Sequence, residues 1–191
     1  MLFGADYREE VVLGDGKPVT LRLIRADDKA RLVEILDALS THSRTMRFFV
    51  PRQHISEKEL RYLTEVDGFD HFAILAMRGD ESVGVARFVR QPDAREVAEP
   101  AVVVIDRLHG LGLGRLLFGH LIAAASERRI TRFQGEVLPQ NKSMLRLLRG
   151  VGAHIPLRHA GAPWSESVTF TVELAGAAAL LPAEELQRLV A

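Results

Sequence analysis

The chain has 191 residues and a mass of 21.2 kDa, with 47% apolar and 26% charged side chains and no cysteine. This composition predicts one folded domain over 1–191 rather than a disordered chain. The lack of cysteine excludes disulfides, zinc–thiolate sites, iron–sulfur clusters and a covalent thiol intermediate. No apolar run reaches the roughly 18 residues that cross a bilayer, and the first ten residues carry acids where a signal peptide carries bases. We therefore expect a cytoplasmic protein without a membrane partner.

The net charge is zero, but the charges are distributed unevenly. The first 95 residues hold fifteen bases and sixteen acids, whereas residues 107–158 hold nine bases and two acids. This local excess favours an anionic ligand, although basic residues on solvated helix faces would give the same count. A neutral total and few aromatic residues argue against nucleic acid as a partner.

The N-terminal half contains hairpin and helix patterns. A turn at 14–17 between apolar runs predicts a hairpin of 11–13 with 19–24. Helical spacing and end signals then predict a helix capped by Asp27 or Asp28, a short helical turn over 43–49 that Pro51 stops, and a helix from a capping box at Ser56 to Gly68.

The C-terminal half alternates strands and helices. The predicted elements are a hairpin of 72–77 with 83–89, a strand at 97–105 buried on both faces, a glycine-opened helix at 110–129, a strand at 132–137, a helix at 141–149, a strand at 165–174 and a weak helix at 175–191. This order predicts an α/β fold with a mixed central sheet flanked by helices, a core at about 18–174 and a C-terminal tail at 175–191.

The strongest chemical signal lies at 102–115, where the sequence is VVVIDRLHGLGLGR. A buried strand enters a glycine-rich turn that becomes the start of an amphipathic helix. Glycine lets the backbone approach a ligand closely, and the free N–H groups of a helix start bind anions. The dinucleotide fingerprint would need glycine at the position of Arg115, and no P-loop is present. An ordinary strand-to-helix turn would also fit these residues alone.

The segment from His109 to Gly114 resembles the Q/R-x-x-G-x-G/A pyrophosphate loop of the GNAT acetyltransferase superfamily, with His109 in the Gln/Arg position. Downstream, residues 137–144 and 152–153 resemble the N-x-x-A/M segment of that family and its Gly-Phe ending. The resemblance covers about 18–174. It implies the GNAT fold, in which two parallel strands splay apart, here 97–105 and 132–137, and coenzyme A lies between them.

The resemblance also implies acetyl-CoA as cosubstrate. The pyrophosphate would bind backbone N–H groups of the loop and helix start, and the pantetheine arm would meet the strand backbone and Asn141. The cofactor-binding residues expected on this basis are Val102, Val103, Val104, His109, Gly110, Leu111, Gly112, Leu113, Gly114, Arg115 and Asn141. The seven histidines have no ligand spacing such as H-E-x-x-H, so no metal is expected.

Residues 39–49, LSTHSRTMRFF, resemble the L-S-x-x-S-x-x-x-R-F-F segment of bacterial protein lysine acetyltransferases that act on acyl-CoA synthetases. Residues 70–76 and 84–88 resemble the same group. In that group a glutamate near the start of the strand before the glycine loop is the general base, which implies this role for Glu99, with Glu96 as a competitor. A lysine ammonium, with a pKa of about 10.4, must lose a proton before it attacks a thioester.

Two further features bear on the chemistry. A main-chain N–H of the 97–105 strand would stabilise the oxyanion of the tetrahedral intermediate. Many family members carry a tyrosine where this chain has Leu148, and the lysine acetyltransferase group tends to lack it, which leaves solvent as the default acid for the thiolate.

The sequence thus predicts direct acetyl transfer in a ternary complex to an amine, first of all a lysine on a protein such as an acyl-CoA synthetase. Two alternatives stay open. One is acetylation of a small amine, which a closed acidic pocket would favour, and the other is a non-catalytic acyl-CoA sensor.

Overall fold

The computed structural model describes residues 2–156 and 166–175. Seven strands and five α-helices lie within these residues, which confirms the predicted α/β class. The strands are β1 (Arg8–Val12), β2 (Pro18–Leu23), β3 (His71–Arg78), β4 (Glu81–Gln91), β5 (Ala94–Val104), β6 (Arg132–Val137) and β7 (Val168–Glu173). The helices are α1 (Lys29–Asp37), α2 (Thr41–Phe48), α3 (Glu57–Thr64), α4 (Leu113–Glu127) and α5 (Lys142–Gly150).

The strands are hydrogen-bonded in sequence order from β1 to β7, in one mixed sheet. The pairs β1–β2, β2–β3 and β6–β7 are antiparallel. Strands β5 and β6 are parallel, with Val97 opposite Arg132 and Ala98 opposite Phe133. This parallel register lies at the start of β6, whereas the antiparallel register with β7 runs over all of β6. The predicted mixed sheet with splayed parallel strands is therefore confirmed.

Two compact units divide the described chain, one of residues 2–88 and 101–118, the other of residues 89–100, 119–156 and 166–175. In the first unit, Phe72 stacks on Phe88 with ring centroids 5.3 Å apart, and Phe3 meets Phe72 edge-on at 5.8 Å. Because Phe3 is buried and β1 pairs with β2, the packed region begins well before residue 18, the expected limit of the core.

The second unit contains β6, β7, α5 and the part of α4 from Gly119 onward. The alternation in β7 turns Phe170 and Val172 inward, where they are buried. The end of α4 is held by buried arginines: Arg128 Nη1 donates to the carbonyl of Ala124 at 2.8 Å, and Arg90 Nη2 donates to that of Arg128 at 2.8 Å. These bonds satisfy carbonyls that a helix end leaves without an internal partner.

The helix ends agree only in part with their sequence signals. The capping box at Ser56 is formed, because its side chain accepts from the N–H of Glu59 while the Glu59 carboxylate accepts from that of Ser56. Asp28 occupies the N-cap of α1, but its carboxylate binds the Arg22 guanidinium at 2.6 and 2.7 Å instead of capping the helix. Helix α2 begins at Thr41, two residues before the predicted helical turn of 43–49, and it ends as predicted, with Phe49 at its C-cap in the left-handed conformation.

In the part of the chain that the structure describes, no helix is long and apolar enough to cross a membrane. The expected C-terminal tail lies, from residue 176 onward, outside the described residues. The assignment of the whole chain to a single domain stays a prediction.

Candidate functional site

The glycine loop follows β5. A 3₁₀ turn, Asp106–Leu108, leads into the loop, and α4 begins at Leu113. Gly110 and Gly112 have φ angles of +79° and +94°, a region that side chains other than glycine rarely adopt. A Cβ atom built on either would meet nothing within 4 Å. The backbone conformation therefore explains these two glycines, and the space beside them is open to a ligand.

The start of α4 presents amide groups at this loop. The N–H of Leu116 donates to the carbonyl of Gly112 at 3.0 Å, so the amides of Leu113, Gly114 and Arg115 precede this helical bond. Such amides, together with the positive end of the helix dipole, bind anions. The structure thus brings together, in one unit, the loop and helix residues predicted to hold a pyrophosphate.

Two hydrogen bonds join the loop to neighbouring segments of the chain. The N–H of Gly14, in the turn between β1 and β2, donates to the carbonyl of Leu111 at 3.1 Å. The His109 Nε2 lies 2.8 Å from the carbonyl oxygen of Val104, so this nitrogen carries the proton. His109 therefore ties the loop to the end of β5, and its expected contact with coenzyme A stays a prediction.

A third anchor joins the loop to α2. Asp106 accepts hydrogen bonds from the backbone N–H of Ser40 at 2.9 Å, from the Ser40 hydroxyl at 2.8 Å and from the Ser43 hydroxyl at 2.6 Å. Burial opposes ionisation of this carboxyl, but the bonds from Ser43 and Ser40 outweigh it and hold the pKa of Asp106 below its usual range. The S-x-x-S part of residues 39–49 thus has a structural role beside the loop.

Residues 101–104 of β5 are half-buried, so the expectation of a strand buried on both faces is wrong here. Strand β4 approaches this stretch closely, since a Cβ on Gly84 would lie 2.9 Å from the Val103 carbonyl oxygen and 3.4 Å from Leu117 Cδ1. Val102, Val103 and Val104 keep part of their surface accessible immediately before the loop. Their predicted contact with the pantetheine arm fits this exposure.

Glu99 lies near the middle of β5, in the second unit, and its side chain is exposed. The exposure of Glu99 is thus a second departure from the predicted burial of strand 97–105 on both faces. A Cβ on Gly135 of β6 would lie 3.1 Å from Phe170 Cζ, so the absence of a side chain at 135 leaves room for the Phe170 ring, and it would make an ordinary contact of 3.6 Å with Glu99 Cγ. Glu96, three residues earlier, falls on the opposite face of the strand.

Asn141 is the N-cap of α5, and its Oδ1 accepts from the N–H of Met144 at 3.0 Å. The Asn141 side chain therefore caps α5. Its contact with the pantetheine arm stays a prediction. Leu148, where many family members carry tyrosine, is buried within the same helix.

Sequence reasoning missed a pocket of about 260 Å³ in the first unit. Helices α1 to α3 supply apolar walls, and Val85, Arg87, Ala101 and Val103 contribute from β4 and β5. The charged residues that line it are Arg47, Arg52, Arg87 and Glu59. Glu59 binds Arg52 at 2.5 Å. A signal was available in the sequence, since Arg87 interrupts an otherwise apolar run in β4.

Arg87 is buried, with 7% of its surface exposed. Its Nη1 donates to the carbonyl of Leu63 and to His71 Nε2, both at 3.0 Å. Burial and then the charge of Arg87 lower the pKa of His71 to about 4, so the imidazole is neutral and accepts this bond. Burial and then the charge of Arg47 lower the pKa of Arg87 to about 10. Among the described residues, no carboxylate forms an ion pair with Arg87.

Comparisons with known proteins agree with this geometry. The model of the acetyltransferase (GNAT) family matches residues 36–153. The acetyltransferase Pat of Mycolicibacterium smegmatis is 38% identical over 96 residues, which are 49% of this chain and 29% of that protein. An acetyltransferase of Pseudomonas aeruginosa is 27% identical over 73% of this chain and 77% of its own. The crystal structure of the GNAT domain of S. lividans PAT superposes with a TM-score of 0.79 at 30% identity, over 90% of this chain and 99% of that one.

The chain therefore spans under a third of the M. smegmatis relative but nearly all of the S. lividans domain. The matched residues include the glycine loop and the parallel strands before and after it. In the described part of the chain, no cluster of three or more histidine, aspartate or glutamate side chains could hold a metal ion.

We predict that Ser43→Ala lowers the affinity for acetyl-CoA by up to about tenfold, because loss of a hydrogen bond to a carboxylate costs about 1.5 kcal/mol and loosens the loop at Asp106. Ser43 is the better choice because Ser40 also caps α2. The control is Ser126→Ala, which loses a hydroxyl bond to the Ile122 carbonyl within α4. Calorimetric titration measures both variants, and an equal loss in the two would contradict the role of the anchor.

Proposed function

The chain belongs to the GNAT acetyltransferase family, and from this premise we propose that it transfers the acetyl group of acetyl-CoA to the side-chain amine of a lysine on a protein. GNAT acetyltransferases use acetyl-CoA, and the open glycine loop before α4 fits an anion such as its pyrophosphate. The observation that carries the choice of acceptor is the basic lining of the pocket beside β5, described above. The cytoplasmic location is part of this proposal.

Within this proposal, the backbone N–H groups from Gly110 to Arg115 bind the pyrophosphate. The backbone of residues 102–104 pairs with the pantetheine arm, with Asn141 as a further contact. These roles are supported by the left-handed glycines, by the helix start and by the partial exposure of the strand.

The transfer itself is a direct attack in a ternary complex. Glu99 accepts a proton from the lysine ammonium, by way of water, and the neutral amine attacks the thioester carbonyl. A carbon–nitrogen bond forms, a main-chain N–H of β5 stabilises the oxyanion, and the carbon–sulfur bond breaks as the tetrahedral intermediate collapses. The attacking nitrogen loses its second proton to solvent as the amide forms, and solvent protonates the leaving thiolate, since Leu148 offers no acid. The exposure of Glu99 supports exchange of its proton with water.

The pocket favours a protein acceptor over a polyamine or an aminoglycoside. Its described lining holds three arginines and one glutamate, and that glutamate is already bound by Arg52. A free polycation would be repelled there, whereas a protein can place one lysine at the reacting centre and take its specificity from remote contacts. The acyl-CoA synthetase is proposed as target because residues 39–49, 70–76 and 84–88 resemble enzymes that modify such proteins.

Gly114→Asp is expected to abolish binding of acetyl-CoA while the protein stays folded. A Cβ at this position lies 3.9 Å from Val104 Cγ2, an ordinary contact, so the added charge acts mainly by repelling the pyrophosphate at the helix start. Gly112 is less suitable, because its φ of +94° makes any side chain strained. The matched control is Gly114→Asn, which has the same shape without the charge and should bind more tightly than Gly114→Asp. Unchanged affinity of Gly114→Asp by calorimetry would remove the phosphate-loop assignment.

Glu99→Gln should lower kcat about 10²-fold or more with little change in acetyl-CoA affinity, as expected for a general base. The loss should shrink as the pH rises, because a larger share of the amine is then already neutral. Glu96→Gln is the control, since its side chain falls on the opposite face of β5. Steady-state kinetics across pH test the assignment, and a crippled Glu96→Gln beside an active Glu99→Gln would transfer the role to Glu96.

The acceptor is tested by incubating the protein and acetyl-CoA with acyl-CoA synthetases of its own cell and mapping acetyl-lysines by mass spectrometry. We expect one exposed lysine of a native synthetase to be modified, and the denatured protein to be a much poorer substrate. Should polyamines or aminoglycosides react with far higher kcat/KM, the small-amine function would replace this one. If no amine is acetylated at all, the sensor function would replace it.

A further inference from the structure

We infer that Arg87 and Arg47 form a subsite for a carboxylate group that an acidic side chain of the protein substrate carries beside the target lysine. This inference rests on the proposed function, because it specifies the substrate that the enzyme recognises. It is carried by two arginine residues that line the same pocket between α1, α2, α3 and the β4–β5 floor, one of them buried without an anionic partner among the described residues.

Arg87 carries a buried positive charge. A buried charge is unfavourable unless it is paired and hydrogen-bonded. Arg87 is nine-tenths buried, yet among the described residues it bonds only to the neutral acceptors of Leu63 and His71. Its positive charge is thus hydrogen-bonded without an anionic partner, and a carboxylate would supply one.

A second arginine, Arg47, adds positive charge to the pocket. Arg47 lines the same pocket, and its charge acts on Arg87 strongly enough to lower the pKa of that group. Its guanidinium lies over the Phe48 ring, with Cζ 5.1 Å from the centroid, so the ring helps to fix its direction. Two like charges that line one pocket and act on each other favour the binding of an anion there. The Glu59 carboxylate is bound by Arg52, so it is already engaged.

The apolar part of the pocket lining indicates which kind of anion would fit. Apolar side chains such as Ile35, Leu36 and Val85 make up most of the remaining lining, so the pocket suits a carboxylate on a short hydrocarbon stem. Ala101 and Val103 of β5 form part of the wall, and this strand is the one proposed to hold the pantetheine arm. A glutamate or aspartate near the target lysine would therefore reach this pocket while the lysine reaches the thioester.

The test uses glutarate, a dicarboxylate with a three-carbon stem, and its neutral isostere glutaramide. Ligand-observed NMR and calorimetry should detect glutarate binding to the full chain and no binding of glutaramide. Arg47→Gln should weaken glutarate binding at least tenfold, and Arg87→Lys should weaken it less than Arg87→Gln. The control is Arg61→Gln, an exposed arginine of α3 outside the pocket lining, which should bind like the wild type.

Absence of glutarate binding, or equal binding by wild type and Arg47→Gln, would overturn the subsite even if Arg87→Gln failed to fold. Free L-glutamate with acetyl-CoA separates the sources of the carboxylate. Binding without acetylation supports a side chain of a protein, whereas rapid acetylation of its α-amine would assign the pocket to a free amino acid. Glutarate binding without acetylation of any protein would contradict the proposed function alone, and acetylation of a native protein without glutarate binding would contradict the subsite alone.

Discussion

Binding of an anion by backbone amides imposes a constraint on the glycine loop, because those N–H groups must stay directed at the ligand space. The rest of the loop must therefore be fixed by its other groups. Its anchors are the bond from the Gly14 N–H to the Leu111 carbonyl, the bond from His109 to the Val104 carbonyl and the hydrogen bonds that Asp106 accepts. None of them uses the amides of the helix start. The loop can thus be rigid and still leave the first turn of α4 to an anion.

The need to fix the loop through groups other than its amides gives α2 a role in addition to packing. Ser40 and Ser43 hold the carboxylate that begins the turn before the loop, while Arg47 and Phe48, one to two turns further along, line the pocket. One short helix therefore contacts both the loop support and the proposed acceptor side. This arrangement offers a physical reason for the spacing of serine, arginine and phenylalanine in residues 39–49, which resembles that of protein-modifying acetyltransferases.

The arginines of the first unit differ in whether a carboxylate neutralises them, and this difference bears on the choice of acceptor. Arg22 is neutralised by Asp28, and Arg52 by Glu59. Arg87 has only neutral partners among the described residues, although its burial makes an unpaired charge costly. Buried groups of this kind cluster at functional sites, where a ligand completes the pairing. The proposed subsite would consequently suit a substrate that brings an anion with its amine better than a free polycation.

Local signals in the sequence were enough for the order of strands and helices, for the capping box at Ser56, for strand 132–137 and for the family of the glycine loop, since each depends on neighbouring residues or on short spacing. They were not enough for the ends and surroundings of elements: Asp28 binds Arg22 instead of capping its helix, and Glu99 is exposed. The anchors at Asp106 join residues 63 and 66 positions apart, and the pocket collects side chains from five elements. The sequence by itself therefore determined the fold class and the family of the glycine loop, through conformational preferences and spacing that act over a few residues. Only the tertiary structure decided what supports that loop and where the buried arginines lie, because packing between distant segments sets both.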